Sequence, residues 1–368
     1  MKTEGLIKYL YWIFFRWLQV LAIVPKLGVF KNAYFYIEVY GFVILHTVLL
    51  IHSIFYRMNV SSRYHQLPLS MKHNIGFMED LSEVIIYSTY LVVMWSYCKN
   101  NQWQKFFKKL NGFSHETTDG NSSLVIFGIF IFTNIAVLAK VFLATKELYE
   151  RYGDLHLAAT LVIYPMMQYY YVFCYSNLML LTLLKVKWQV RKAIWCLNQK
   201  HINLIKARAE YFKALTTAQF FNDVFGHPLL FMFGMWVFQI IGLLLKFVML
   251  IKPNSKNDMF ETDLRPMWKT VVDLSGKVIF SSMAPCSVAF ACDLATIECE
   301  KLSSLCFQLQ QDYVCGSSSY KELRSLGIFA NRNKLLFTAA EYFSVNRNVI
   351  LTIIASSTTY FVALVQFY

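Results

Sequence analysis

Asn348-Val-Ile-Leu-Thr-Ile-Ile-Ala-Ser-Ser-Thr-Thr-Tyr360-Phe-Val-Ala-Leu-Val-Gln-Phe-Tyr368 contains no charged side chain. About 20 residues of this kind are what a helix needs to cross a bilayer. The segment is not uniformly apolar, however. Thr352, Ser356, Thr359, Ala363 and Gln366 stand 4, 3, 4 and 3 residues apart, so they share one helical face. The other faces carry Ile350, Ile353, Ile354, Phe361, Val362 and Leu364. A membrane helix with one small, hydroxylated stripe either packs that stripe on other helices or turns it toward water.

The rest of the chain agrees with a membrane setting. Of 368 residues, 57% are hydrophobic and only 15% charged, where a soluble protein carries roughly 25% charged residues. Mean hydropathy is +0.41. The formal net charge is +13, but the basic residues lie in connections between apolar spans and form no aromatic-interleaved patch. Nucleic acid is therefore set aside as a partner. Residues 6–24 are apolar but interrupted by Lys8 and Arg16, with no small-residue cleavage site after them. They read as an interfacial amphipathic helix, with an extra span as the second reading, rather than a signal peptide.

Seven segments qualify as spans: 33–56, 75–97, 123–145, 157–182, 229–251, 267–291 and 347–367. The fifth is bounded by Gly226-His-Pro228, and Pro165 and Pro285 are expected to kink the spans that hold them. With the N-terminus placed in the cytosol, the inner segments carry 22 Lys and Arg against 10 on the outer side, Lys269 and Lys277 at the start of the sixth span included. The charge bias thus favours a cytosolic N-terminus and an external C-terminus, the reverse of a G-protein-coupled receptor. The eight cysteines fall in spans or on the inner side, and no CxxC pair occurs. Neither an external disulfide nor a metal is expected, and no cofactor is called for. The sequon Asn59-Val-Ser61 lies in the first outer loop, and Asn121-Ser-Ser123 would be cytosolic.

The outer loops are short and the inner connections long. Trp188, Trp195, Ile202 and Ala209 repeat every seven residues, with Ile205 and Phe212 interleaved. A second stripe runs Val288, Cys292, Ala295, Cys299, Leu302, Cys306, Leu309, Tyr313. These stripes predict helices that extend far from the membrane. They either pack within one chain or form a hub that joins subunits.

The close of the chain, Thr359-Tyr360, five apolar residues, then Gln366-Phe367, resembles the signature of the insect gustatory receptor family. Length, reversed topology, short outer loops and a long basic loop after the fourth span extend the similarity. The resemblance implies a ligand-gated, non-selective cation channel: a tetramer, or a heteromer with other gustatory receptors, in the plasma membrane of chemosensory neurons. It also implies a split seventh helix, with a cytosolic half near 321–343 and a pore-lining membrane half near 347–367. Gln366 and Phe367 would sit by the gate. Sugar-sensing members tend to carry Glu directly after Thr-Tyr. Phe361 stands there in this chain, which points to bitter or aversive small molecules.

The fold expected is an all-α membrane protein of seven transmembrane helices with long cytosolic helical extensions. Its parts are an interfacial N-terminal segment 1–32, spans one to four over 33–182, and a helical anchor 183–228. Spans five and six follow over 229–291, then an anchor segment 292–345 that includes the first half of helix seven, and the pore half 346–368.

The conduction path is expected on Thr352, Ser356, Thr359, Tyr360, Ala363, Gln366 and Phe367. Hydroxyls and amides repeated around an axis can stand in for part of an ion's water shell, and an aromatic or branched side chain can close the path by dewetting. Arg347 is either an anchor at the membrane boundary or a vestibule charge. Polar residues at membrane depth are ligand candidates: Glu83 and Tyr87, Asn134 and Lys140, Tyr164 and Gln168, Trp236 and Gln239, Trp268 and Asp273. No GxSxG, HExxH or P-loop pattern occurs, so an enzyme is not expected. The alternatives are a monomeric secondary transporter, which calls for an internal repeat that is not evident, and another type of seven-helix receptor.

Overall fold

The computed structural model describes residues 155–199, 203–251 and 267–366, together with scattered helical positions between 44 and 150. Three long helices dominate: α1 (Leu155–Leu197), α2 (Leu204–Ile251) and α3 (Met267–Gln310). They are followed by α4 (Ser318–Arg332), a hairpin of β1 (Thr338–Ala339) and β2 (Phe343–Ser344), and α5 (Arg347–Gln366).

Helices α1 to α3 have 43, 48 and 44 residues. At about 1.5 Å per residue each is about 65–72 Å long, more than twice a hydrocarbon core of about 30 Å. Each therefore continues well beyond the membrane, where their polar halves form a bundle with α4. The helical positions between 128 and 150 show the membrane side of this division. Ile131, Ile135, Leu138 and Phe142 fall on one face and are 49–70% exposed, a row suited to lipid.

The extramembrane bundle is held by small residues at helical spacing. Val288, Cys292, Ala295, Cys299, Leu302 and Cys306 of α3 are all at most 2% exposed, as the second sequence stripe predicts. Facing them are Val186, Val190, Ala193 and Cys196 of α1 and Ala207, Tyr211, Ala214, Ala218, Phe221 and Phe225 of α2, all buried. Alanine and cysteine let helix axes approach closely, and burial pushes the Cys306 thiol up to about 12, far from the reactive thiolate. Two buried carboxylates tie the helices together. Glu298 of α3 accepts from Arg191 of α1 at 2.9 and 3.1 Å and lies 3.7 Å from Lys301. Glu210 of α2 lies 3.5 Å from Lys192 of α1 and 3.0 Å from Lys213. A buried carboxylate is tolerated because a cation meets it.

Three features differ from the sequence expectation. The seven-residue repeat from Trp188 to Ala209 is not one stripe, because α1 ends at Leu197 and Asn203 caps α2 by accepting from the Lys206 N–H at 3.0 Å. Trp195, Ile205 and Phe212 are instead 57%, 84% and 61% exposed. Gly226-His-Pro228 does not open a helix, since α2 runs through it. Finally, the half-helix expected near 321–343 is α4, which ends at Arg332, and a hairpin occupies 338–344.

Candidate functional site

The terminal helix α5 divides into three sectors. Ile350, Ile353 and Ser357 are buried against α2 and α3. Thr352, Ser356 and Thr359 lie on a second, exposed sector that continues to Gln366, with Ala363 half-buried. A third sector exposes Leu351, Ile354 and Val362 at 68%, 46% and 46%. The neighbours Ser356 and Ser357, about 100° apart on a helix, thus occupy opposite situations. Tyr360 is 63% exposed, and Phe367 lies outside the described residues.

The hydroxyls on the exposed side have a defined orientation. Thr352 Oγ1 donates to the Asn348 carbonyl at 3.0 Å and Thr359 Oγ1 to the Ala355 carbonyl at 3.0 Å. Their protons are spent on the helix itself, so their oxygen lone pairs are what the surface offers. Such a surface solvates cations better than anions.

The N-terminal end of α5 is fixed by several groups. Asn346 Oδ1 accepts from the N–H groups of Asn348 and Val349 at 3.1 and 3.3 Å, an N-cap that satisfies the first helical donors. Arg347 Nε lies 3.3 Å from Asp293 Oδ2 of α3, so this arginine tethers α5 to the bundle. Ahead of the cap, β1 and β2 pair antiparallel, Thr338 with Ser344 and Ala339 with Phe343. Tyr342 N–H donates to the Ala339 carbonyl at 3.0 Å, and the residues between, Ala340 and Glu341, have φ of +49° and +65°. Neither is glycine, and the left-handed region costs such residues about 1–2 kcal/mol each. Partial desolvation, and then the nearby Glu341 carboxylate, raise the Asp223 pKa from its ordinary value.

The ligand candidates are placed unevenly. Asn134 Oδ1 accepts from the Tyr170 hydroxyl of α1, joining two spans through a tyrosine that sequence reasoning passed over. Trp236, 2% exposed, donates its indole N–H to Ser282 Oγ of α3 at 3.0 Å. Gln239 is buried on α2 one turn further along. Tyr164, Gln168, Trp268 and Asp273 sit on helices, with their side chains outside the described residues, and Glu83, Tyr87 and Lys140 lie wholly outside them. Also missed were Tyr211, Asn222 and Thr296, which hold the connection into α5. Tyr211 carried a faint signal, a polar tip within the alanine-rich stripe Ala207–Ala218. The other two carried none.

Comparison with known proteins places this architecture. The family model described as 7tm chemosensory receptor matches residues 9–368. Among curated proteins no sequence matches significantly. The solved structure of the insect olfactory receptor OR5 from Machilis hrabei is similar, with a TM-score of 0.57 and 13% identity over 94% of this chain and 93% of that one. The same receptor in complex with eugenol gives a TM-score of 0.57 and 12% identity over the same shares. At such identity the likeness establishes the fold, an all-helical membrane fold of seven spans. With the family match over nearly the whole length, the chain belongs to the 7tm chemosensory receptor family.

Proposed function

We propose that the chain is a gustatory receptor. Four copies form a ligand-gated, non-selective cation channel in the plasma membrane of chemosensory neurons, with the N-terminus cytosolic, and it responds to bitter or aversive small molecules rather than sugars. The observation that carries this reading is the exposed sector of α5. One chain buries Ile350, Ile353 and Ser357 yet leaves Thr352, Ser356 and Thr359 uncovered. Lipid leaves the oxygen lone pairs of such a row unhydrated, whereas several copies that enclose water can use them. The third sector, Leu351, Ile354 and Val362, would then meet lipid or the neighbouring copy.

Assembly is supported by the extramembrane bundle. Ile205, Arg208, Ala209, Phe212 and Phe329 line a shallow apolar groove of about 370 Å³, which suits an apolar side chain of a second copy. A small organic ligand is supported by aromatic and amide groups such as Trp236, Tyr170 and Gln239 at membrane depth. The olfactory receptor seen with eugenol is a relative of the same fold.

The test is expression of the chain alone, with currents recorded against a panel of bitter compounds and sugars. Bitter-evoked cation currents are expected, and Gln366→Glu should raise the preference for cations. A robust sugar response would overturn the bitter assignment. Evoked currents whose ion preference is untouched by Gln366→Glu would remove Gln366 from the path.

A further inference from the structure

The connection from α4 to α5 is extended, yet side chains of α2 and α3 hold its backbone. Tyr211 of α2 donates to the Asn333 carbonyl at 2.7 Å. Thr296 of α3 donates to the Leu335 carbonyl at 3.2 Å. Asn222 of α2 donates from Nδ2 to the Leu336 carbonyl at 2.8 Å, while its Oδ1 accepts from the Thr338 N–H at 3.0 Å. These side chains take the place of a neighbouring strand. Leu335 and Phe337 anchor the same stretch as buried residues, Phe337 edge-on to Phe221 with ring centroids 5.4 Å apart.

The hairpin that follows carries the left-handed Ala340 and Glu341. Strain of this kind persists only where the surroundings over-determine it. Here the surroundings are α2. A Cβ at Gly226 would fall 3.0 Å from the Ala340 nitrogen and 3.3 Å from its Cα. One helical turn pair further, Phe233 meets Phe343 edge-on at 5.8 Å. The Val345 N–H then donates to the Phe337 carbonyl at 2.7 Å, closing the hairpin onto the extended stretch immediately before the Asn346 cap. A single helix therefore touches, in order, the strap, the strained turn and the base of α5.

We propose that Asn222 and Gly226 are positioning residues for the terminal helix: through the strap and the strained hairpin they pass a displacement of α2 to the N-terminal end of α5. Helix α2 also carries Trp236 and Gln239, so a ligand that moves it at membrane depth acts on α5 through this joint. Only the consequence for currents rests on the channel reading; the mechanical coupling does not.

Hydrogen–deuterium exchange on the purified full chain in nanodiscs tests it. Asn222→Ala should speed exchange about tenfold or more at 336–338 and also across the first turns of α5, 347–353, while α4 exchanges as before. Gly226→Ala keeps every hydrogen-bonding group and pushes on Ala340, so it should speed exchange at 340–353 and carries the test if Asn222→Ala fails to fold. Ala340→Gly relieves the left-handed residue, keeps its backbone in place and should leave α5 protected. Both joint variants should also change the ligand-free conductance at equal surface level. Faster exchange confined to 336–344 in both variants, with α5 unchanged, would overturn the proposal. Faster exchange in α5 with no current from any form, native chain included, would sustain the coupling and count against the channel.

Discussion

Helices α4 and α5 flank the same hairpin, yet they are made for different surroundings. Helix α4 buries Leu323, Leu326, Gly327 and Ala330 and exposes Lys321, Glu322, Arg324 and Arg332. Its N-cap, Ser317, accepts from the Tyr320 N–H at 3.2 Å. Helix α5 also buries one narrow face, but beyond Arg347 its exposed surface holds no charge at all, only hydroxyls, the amides of Asn348 and Gln366, Ala355 and large apolar side chains. In water, each square ångström of that apolar surface would cost about 25 cal/mol. The contrast shows that burial within one chain leaves only Ile328 exposed and Phe329 half-buried among the large apolar side chains of α4, aside from Tyr320, but leaves much of the apolar surface of α5 uncovered. What finishes α5 must come from lipid, water or other copies.

The largest effect that would sharpen this contrast is expected from Leu323→Asp. It places a charge at a fully buried position of α4, one turn from Gly327, whose would-be Cβ falls 3.2–3.3 Å from Cys306 and Phe307 of α3. Loss of several kcal/mol is expected, read as failure to recover a monodisperse protein; normal yield and melting would break the account of α4. Next comes Tyr211→Phe. Its hydroxyl serves the Asn333 carbonyl and touches Cys299 Sγ at 3.0 Å, so the variant should cost about 1–3 kcal/mol. A melting temperature unchanged from the native chain would show that the strap does not depend on it. Smaller are the two caps. Ser317→Ala and Asn346→Ala should each cost about 1 kcal/mol. Amide exchange should locate the first in α4 and the second in α5, and spread of either into the other helix would mean that the hairpin does not separate them.

Much of this contrast could be read from residue order. The row Val288 to Cys306 is a strict 4-3 alternation of small and apolar residues, and every member is buried. The row Thr352 to Gln366 is likewise one face, because nothing in α5 bends the helix. Other features depend on contacts distant in sequence. The repeat Trp188–Ala209 fails because Asn203 starts a new helix inside it, and a seven-residue count carries across a turn as easily as along a helix. Gly226-His-Pro228 looks like a helix boundary, yet Pro228 sits within α2, and Gly226 is needed for the close approach of Ala340. The hairpin was hidden because Ala340 and Glu341 are poor residues for a left-handed turn. Asn222, far away in sequence, helps hold them there. No cavity could be read for the ligand candidates, since a polar residue at membrane depth has no period that says which cavity it meets.

The most direct test uses the neighbouring serines of α5 as an internal control. Ser356→Cys and Ser357→Cys are made separately in the full-length receptor, and a water-soluble, membrane-impermeant thiol reagent is applied during ligand-evoked currents. The account requires fast modification and block at position 356 and no reaction at 357, because one is exposed and the other 0% exposed in each chain. Equal inertness at both, with full currents, would contradict it.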